Sequence, residues 1–237
     1  MKIGALTLPR SETEDIQNDL KAKLVAGELP PGQKLKPAEL QGEYGCSANT
    51  VRDALMRLVN LGLVEFQLQR GFRATESTLQ RRSDVARFRM LLEQEGAAES
   101  MKRGGVAWEA KLTGDHYALS HIERKIQAAG DVSEYVRLWT DAEREFHETL
   151  ISACASPLHI EAWRQVYLQF RQQNIGHHRD FGSNAFATIL SEHQAIVDAA
   201  LARDEAACRR AIHQHLVRNI LPDDAVEGSD HLARSSP

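Results

Sequence analysis

The most restrictive stretch of the chain is a pair of short helical signals with almost nothing between them. Pro37-Ala38-Glu39-Leu40 opens one apolar-periodic segment, which ends at Tyr44-Gly45-Cys46-Ser47, and a second begins at once at Asn49. Glycine just past a helix end is a stop signal, and either Ser47 or Asn49 can cap the helix that follows. The spacing therefore predicts helix, tight turn, helix. In the second segment Val51, Leu55, Leu58 and Val59 recur at helical spacing. It runs into Leu61-Gly62-Leu63-Val64-Glu65-Phe66 and then Arg70-Gly71-Phe72, which reads as a two-stranded wing. A helix-turn-helix followed by a wing presents its second helix to the major groove of DNA.

The flanks extend this into a domain. Ser11 to Glu14 form a capping box, and Ile16, Leu20, Leu24 and Val25 make the apolar stripe of a preceding helix. Gly27 stops that helix and Pro30-Pro31-Gly32 makes a rigid turn. Residues 1–10 read as a loose arm, so 1–76 is expected to be a winged helix-turn-helix domain. Residues 77–83 are polar, with Gln80-Arg81-Arg82, and read as a linker. From Asp84 onward apolar residues recur at three and four, with no strand pattern. Helices are predicted at about 84–103, 107–129, 133–153, 157–175, 184–202 and 204–221. The breaks between them are short, which favours antiparallel neighbours. The fold class is thus mainly α: an N-terminal winged helix-turn-helix with a small β wing, and an all-α antiparallel bundle over 84–222. The polar tail 223–237 is expected to be disordered.

Charge supports the division weakly. Residues 20–76 carry eight Lys/Arg against six Asp/Glu, whereas 77–237 carry 19 against 23. Cys46, Cys154 and Cys208 are far apart with no CxxC, which excludes a disulfide framework or zinc ribbon and fits a reducing cytoplasm. No stretch approaches the roughly 18 apolar residues of a membrane span, and MKIGALTLPR contains no signal-peptide core.

Four residues of the helical half share a chemistry. Glu143 and His147 are four apart on one predicted helix, and so share a face. His193 and His215 lie on the last two predicted helices. One carboxylate and three imidazoles converging inside a bundle suit a borderline divalent metal, most simply zinc, with nickel or manganese also accommodated. A metal-dependent hydrolase with an attached nucleic-acid domain is the alternative. Against it, the chain has no HExxH and no placed general base. His177, His178 and His213 are expected in solvent, and Trp108, Trp139 and Trp163 in the core or a dimer contact.

The ordered set L-x-PG-x-x-L, G-C-S-x-x-T-V-R-D-A-L-x-R-L, L-G-L-V and RG resembles the winged helix of GntR-family transcriptional regulators. In that frame Arg52 stands near the exposed start of the recognition helix, where a guanidinium reaches guanine edges. Ser47, Asn49 and Thr50 can donate to phosphate or base edges, and Arg70 with Gly71 forms the wing tip. Two positions depart from the family: Ala48 stands where an arginine is usual, and Ala38 where many members carry a polar or basic residue. Lys34 and Lys36 offer partial compensation, and Arg57 a backbone contact. Arg89-x-x-Leu92-Glu93, Glu143-x-x-Phe146-His147, Glu192-His193-x-x-Ile196 and His215-Leu216 are similar to the FCD ligand-binding domain of the FadR branch. The resemblance implies a metal on Glu143, His147, His193 and His215, with Glu143 replacing the usual aspartate. It implies Arg89 as a pocket arginine for a small organic acid; apart from the resemblance, Arg171 and Asn174 are minor inward-facing candidates. It further implies a homodimer on operator DNA, repressing a metabolic operon.

Overall fold

The computed structural model describes residues 12–178 and 183–220, and the chain divides after Glu76 into two compact units. The arm 1–10, Ser11 of the expected capping box and the tail 223–237 lie outside the described residues.

In the first unit, α1 (Glu12–Val25) buries Ile16, Leu20, Leu24 and Val25. It packs on α3 (Ala48–Asn60). The latter buries Val51, Ala54, Leu55 and Leu58, a single stripe at three- and four-residue spacing. Between them α2 (Pro37–Tyr44) starts with proline at its first position and ends at Gly45, whose φ of 66° is left-handed. The wing has three strands rather than two. β2 (Val64–Gln67) pairs with β3 (Gly71–Ala74), and β1 (Lys34–Leu35) adds to the far edge of β3. Leu35 faces Phe72 across that edge and is buried. A two-residue strand has no alternation to read, so its pairing is set by the tertiary position of Leu35.

The second unit is helical throughout. It comprises α4 (Leu79–Arg103), α5 (Val106–Ala129), α6 (Val136–Ile151), α7 (Pro157–His178), α8 (Ser183–Leu201) and α9 (Glu205–Val217). The helix α4 packs on α6, α7 and α9, while α5 packs on α6 and α8. Two expectations need correction. The stretch 77–83 is mostly not a linker: Thr78 caps α4 by accepting from the Arg81 N–H at 3.1 Å, and Ser83 is already buried. Gln80, Arg81 and Arg82 are good helix formers, and their polarity marks a partly exposed first turn rather than a flexible segment. Similarly α7 continues through Gly176 to His178, where a break was expected. Among the described residues no helix is long and apolar enough to cross a membrane.

Candidate metal centre and nucleic-acid interface

The outward face of α3 is held ready by its cap. The Ser47 hydroxyl accepts from the Thr50 N–H at 3.1 Å and lies 2.8 Å from the Thr50 hydroxyl. Two of the four contact residues expected at this helix thus fix its start, and Ser47 stays exposed while doing so. Asn49 and Arg52 are exposed on the next turn. Arg52 makes no ion pair with the described residues. The acidic neighbour Glu43 is instead engaged by Lys23 at 2.6 Å. Arg57 stands 3.9 Å from Glu14, and Lys36 pairs with Glu39, so both are partly committed elsewhere. At the wing tip Arg70 is exposed, and Gly71 takes φ 71°, which an L side chain would strain. These are cations and donors left for an external polyanion.

The helical unit brings three of the four expected ligands together. His147, His193 and His215, from α6, α8 and α9, are buried with one ring nitrogen each inside a 4.8 Å group. The Nε2 atoms of His147 and His193 are 3.4 Å apart. Two nitrogens on one tetrahedral zinc stand about 3.3 Å apart, given bonds of about 2.05 Å. Behind each ring lies a carboxylate. His147 Nδ1 is 3.0 Å from Glu93, His193 Nδ1 is 2.9 Å from Glu123, and His215 Nδ1 is 3.0 Å from Glu192. The first two contacts are close but off the straight hydrogen-bond line. This is the arrangement by which carboxylates fix the tautomer and turn the other nitrogen toward a metal.

Electrostatics follow from burial. Burial pushes His147 below its usual range, with Glu93 opposing. Burial and then the imidazoles of His193 and His147 drive His215 far down. His193 is raised because Glu123 outweighs burial. Burial alone would raise Glu93, but Arg89 and His147 override it and hold the carboxyl at about 2.

Two family models match this chain: the FCD domain over residues 84–218, and the bacterial regulatory proteins of the gntR family over 12–73. The chain belongs to the GntR family. Its relatives include the uncharacterized HTH-type transcriptional regulator BphR of Paraburkholderia xenovorans. It is 35% identical over 89% of this chain and 84% of that protein. The HTH-type transcriptional repressor GlaR of Escherichia coli is 27% identical over 85% of this chain and 90% of that protein. The solved structure of E. coli McbR/YncC superposes with a TM-score of 0.74 at 21% identity, over 94% of this chain and all of that one. GntR-family proteins are transcriptional regulators that bind operator DNA and small-molecule effectors, not enzymes, which removes the hydrolase reading of the histidines.

Within this GntR-family chain Glu143 departs from its expected place. It is buried and lines a cavity of about 20 Å³ with His193 and His215, but it is not in the metal-capable group. Its Oε1 accepts from Arg89 at 3.2 Å, and its Oε2 accepts from Arg171 at 2.7 Å. Burial alone would raise its carboxyl, yet the two guanidinium groups hold it below the usual range. Arg89 is correspondingly not a free pocket arginine. It is fully buried and also donates to Glu93 at 2.6 Å. Arg171, a minor candidate from sequence, is central, whereas Asn174 turns back to the Phe170 carbonyl at 2.9 Å.

Sequence reasoning missed Glu123 altogether and gave Glu93 and Glu192 no role at the metal. Two tryptophans expected in the core or a dimer contact hold these carboxylates: Trp163 donates to Glu93 at 2.9 Å, and Trp139 to Glu123 at 3.2 Å. An indole N–H buried beside a glutamate is the one signal that was available, but nothing in the spacing paired them. His213 is exposed, as expected; the side chains of His177 and His178 lie outside the described set.

Proposed function

We propose that this chain is a dimeric repressor whose helical unit holds a divalent metal on His147, His193 and His215 and responds to a small carboxylate. The observation that carries the reading is the set of three buried imidazoles, each backed by a carboxylate and together spaced for one ion. Nitrogen donors at this spacing favour zinc, with nickel or manganese as competitors. When bound, such an ion supplies a fixed positive charge and open positions for an oxygen ligand. Charge balance supports an anionic effector. Arg89 and Arg171 face Glu93 and Glu143, and Glu123 lies behind His193, so the buried group carries one net negative charge, and Glu192 is offset by Arg218. A divalent ion turns that balance to one positive charge, which a monocarboxylate closes. The name of GlaR, a repressor, supports repression. A two-fold dimer matches two operator half-sites.

The test pairs metal content with DNA binding. Elemental mass spectrometry of untagged protein is expected to find near-stoichiometric metal, lost in His193→Ala. Fluorescence anisotropy on DNA from upstream of its own gene is expected to show saturable binding, weakened by small carboxylates. Metal absent from the parent protein, or equal affinity for scrambled DNA, sinks the corresponding half of the reading.

A further inference from the structure

We infer that Glu143 is not a metal ligand in this chain but the resident occupant of an anion site between Arg89 and Arg171, which an incoming small carboxylate must displace. The inference rests on the proposed carboxylate response and deepens it.

Four observations carry it. First, the carboxylate is gripped on both oxygens, by Arg89 on one side and by Arg171 on the other, with the Tyr167 hydroxyl 3.3 Å from Oε2. Three of its lone-pair sites are thereby engaged, and the metal-capable group forms without it. Second, the guanidinium groups do not depend on Glu143 for their positions. Arg89 lies 4.5 Å over the Phe170 ring and donates to Glu93. Arg171 lies 4.5 Å over Trp139 and donates to the Thr140 hydroxyl at 2.7 Å. Removing Glu143 leaves a formed pocket of two cations. Third, each guanidinium keeps one nitrogen with no acceptor, NH2 of Arg89 and Nε of Arg171, although both residues are fully buried. Buried donors without acceptors are rare and costly, so the pocket has spare capacity for oxygens that one glutamate does not use. Fourth, the adjoining cavity of about 20 Å³ holds about one water. No carboxylate fits beside Glu143; one fits only in its place.

An internal competitor of this kind weakens the apparent affinity for the external ligand by the fraction of time the site is free. Glu143 thus sets the effector threshold.

The experiment uses full-length Glu143→Ala and Glu143→Gln proteins beside the parent, stripped of metal by chelator. They are titrated with sodium acetate against sodium chloride at equal ionic strength, with melting temperature as the readout. Acetate is expected to stabilise both variants saturably, with an apparent affinity roughly tenfold or more above the parent. Chloride is expected to do neither. Zinc affinity, measured separately by competition with a chromophoric chelator, is expected to stay close to the parent value in Glu143→Gln. A zinc affinity reduced by about tenfold or more in that variant would make Glu143 a ligand and overturn the inference. Acetate binding no tighter than in the parent would overturn it as well. Should Glu143→Ala fold only when purified in acetate, that dependence supports the site; should it never fold, the isosteric Glu143→Gln decides. Because acetate is scored without metal, a parent protein that takes up no zinc defeats the metal reading and leaves this one standing.

Discussion

Arg52 and Arg171 are the same side chain in opposite surroundings. Arg52 stands exposed on α3 with no ion pair to the described residues, while Arg171 is fully buried and bonded to Glu143 and Thr140. The first unit keeps Arg52 and Arg70 loose for a partner that arrives from outside, while Lys23 and Lys36 are paired. The second spends its cations on its own carboxylates, and any ligand there enters by exchange. Reading a polyanion and sensing a small anion thus use one chemical group under opposite rules of solvation.

The contrast breaks most sharply at Arg171. Arg171→Met is expected to leave Glu143 half-paired and cost about 3–5 kcal/mol. Urea unfolding followed by tryptophan fluorescence measures this cleanly, since Trp108, Trp139 and Trp163 all lie in the second unit. A loss below about 1 kcal/mol, the scale of an exposed pair, would mean the buried network carries little.

Acid comes next. The Glu93 carboxyl is held at about 2, against an ordinary value of 4.5. Below about pH 4.5 the unfolded chain takes up a proton that the folded one refuses. Stability is therefore complete above that pH and drains away as pH falls toward 2, by on the order of 3 kcal/mol. A tryptophan-monitored midpoint that is flat from neutral pH to pH 3 contradicts this.

Arg52→Ala should invert the pattern seen at Arg171. Operator affinity is expected to drop by about 1–3 kcal/mol, with stability within roughly 0.5 kcal/mol of the parent. If both fall together, Arg52 is part of the scaffold rather than the reading surface. The smallest effect is expected from Ser47→Ala, about 1 kcal/mol of local helix stability. Hydrogen exchange should locate it in the first turn of α3, leaving the tryptophan transition unmoved.

What could be read from the chain was whatever repeats along it. The stripe Val51, Leu55, Leu58 and the pair Glu143, His147 are local patterns, and they place the recognition helix and one side of the histidine cluster. The histidines of α8 and α9 could be assigned through family resemblance. Contacts between distant positions were not legible. Nothing near Glu123 announces His193, and nothing near Glu93 announces His147 or Trp163, because those pairs are made by helix packing. Arg89 and Glu93 are spaced like a surface ion pair, and only burial makes them part of the site. Glu143 was read by position alone. Its length, one methylene beyond aspartate, was noted, but its arginine partners were out of view.

The junction between the units has a consequence for how the chain can be divided. Thr75 is buried, with its N–H and hydroxyl both donating to carbonyls of the first unit, Leu63 at 3.0 Å and Gly62 at 3.0 Å. Ser77 donates to the Gln173 carbonyl of α7 at 3.0 Å, and Thr78 already caps α4. Each unit therefore ties down its own end of the chain, and a protease site inserted after Glu76 is expected to release two pieces that each keep their fold.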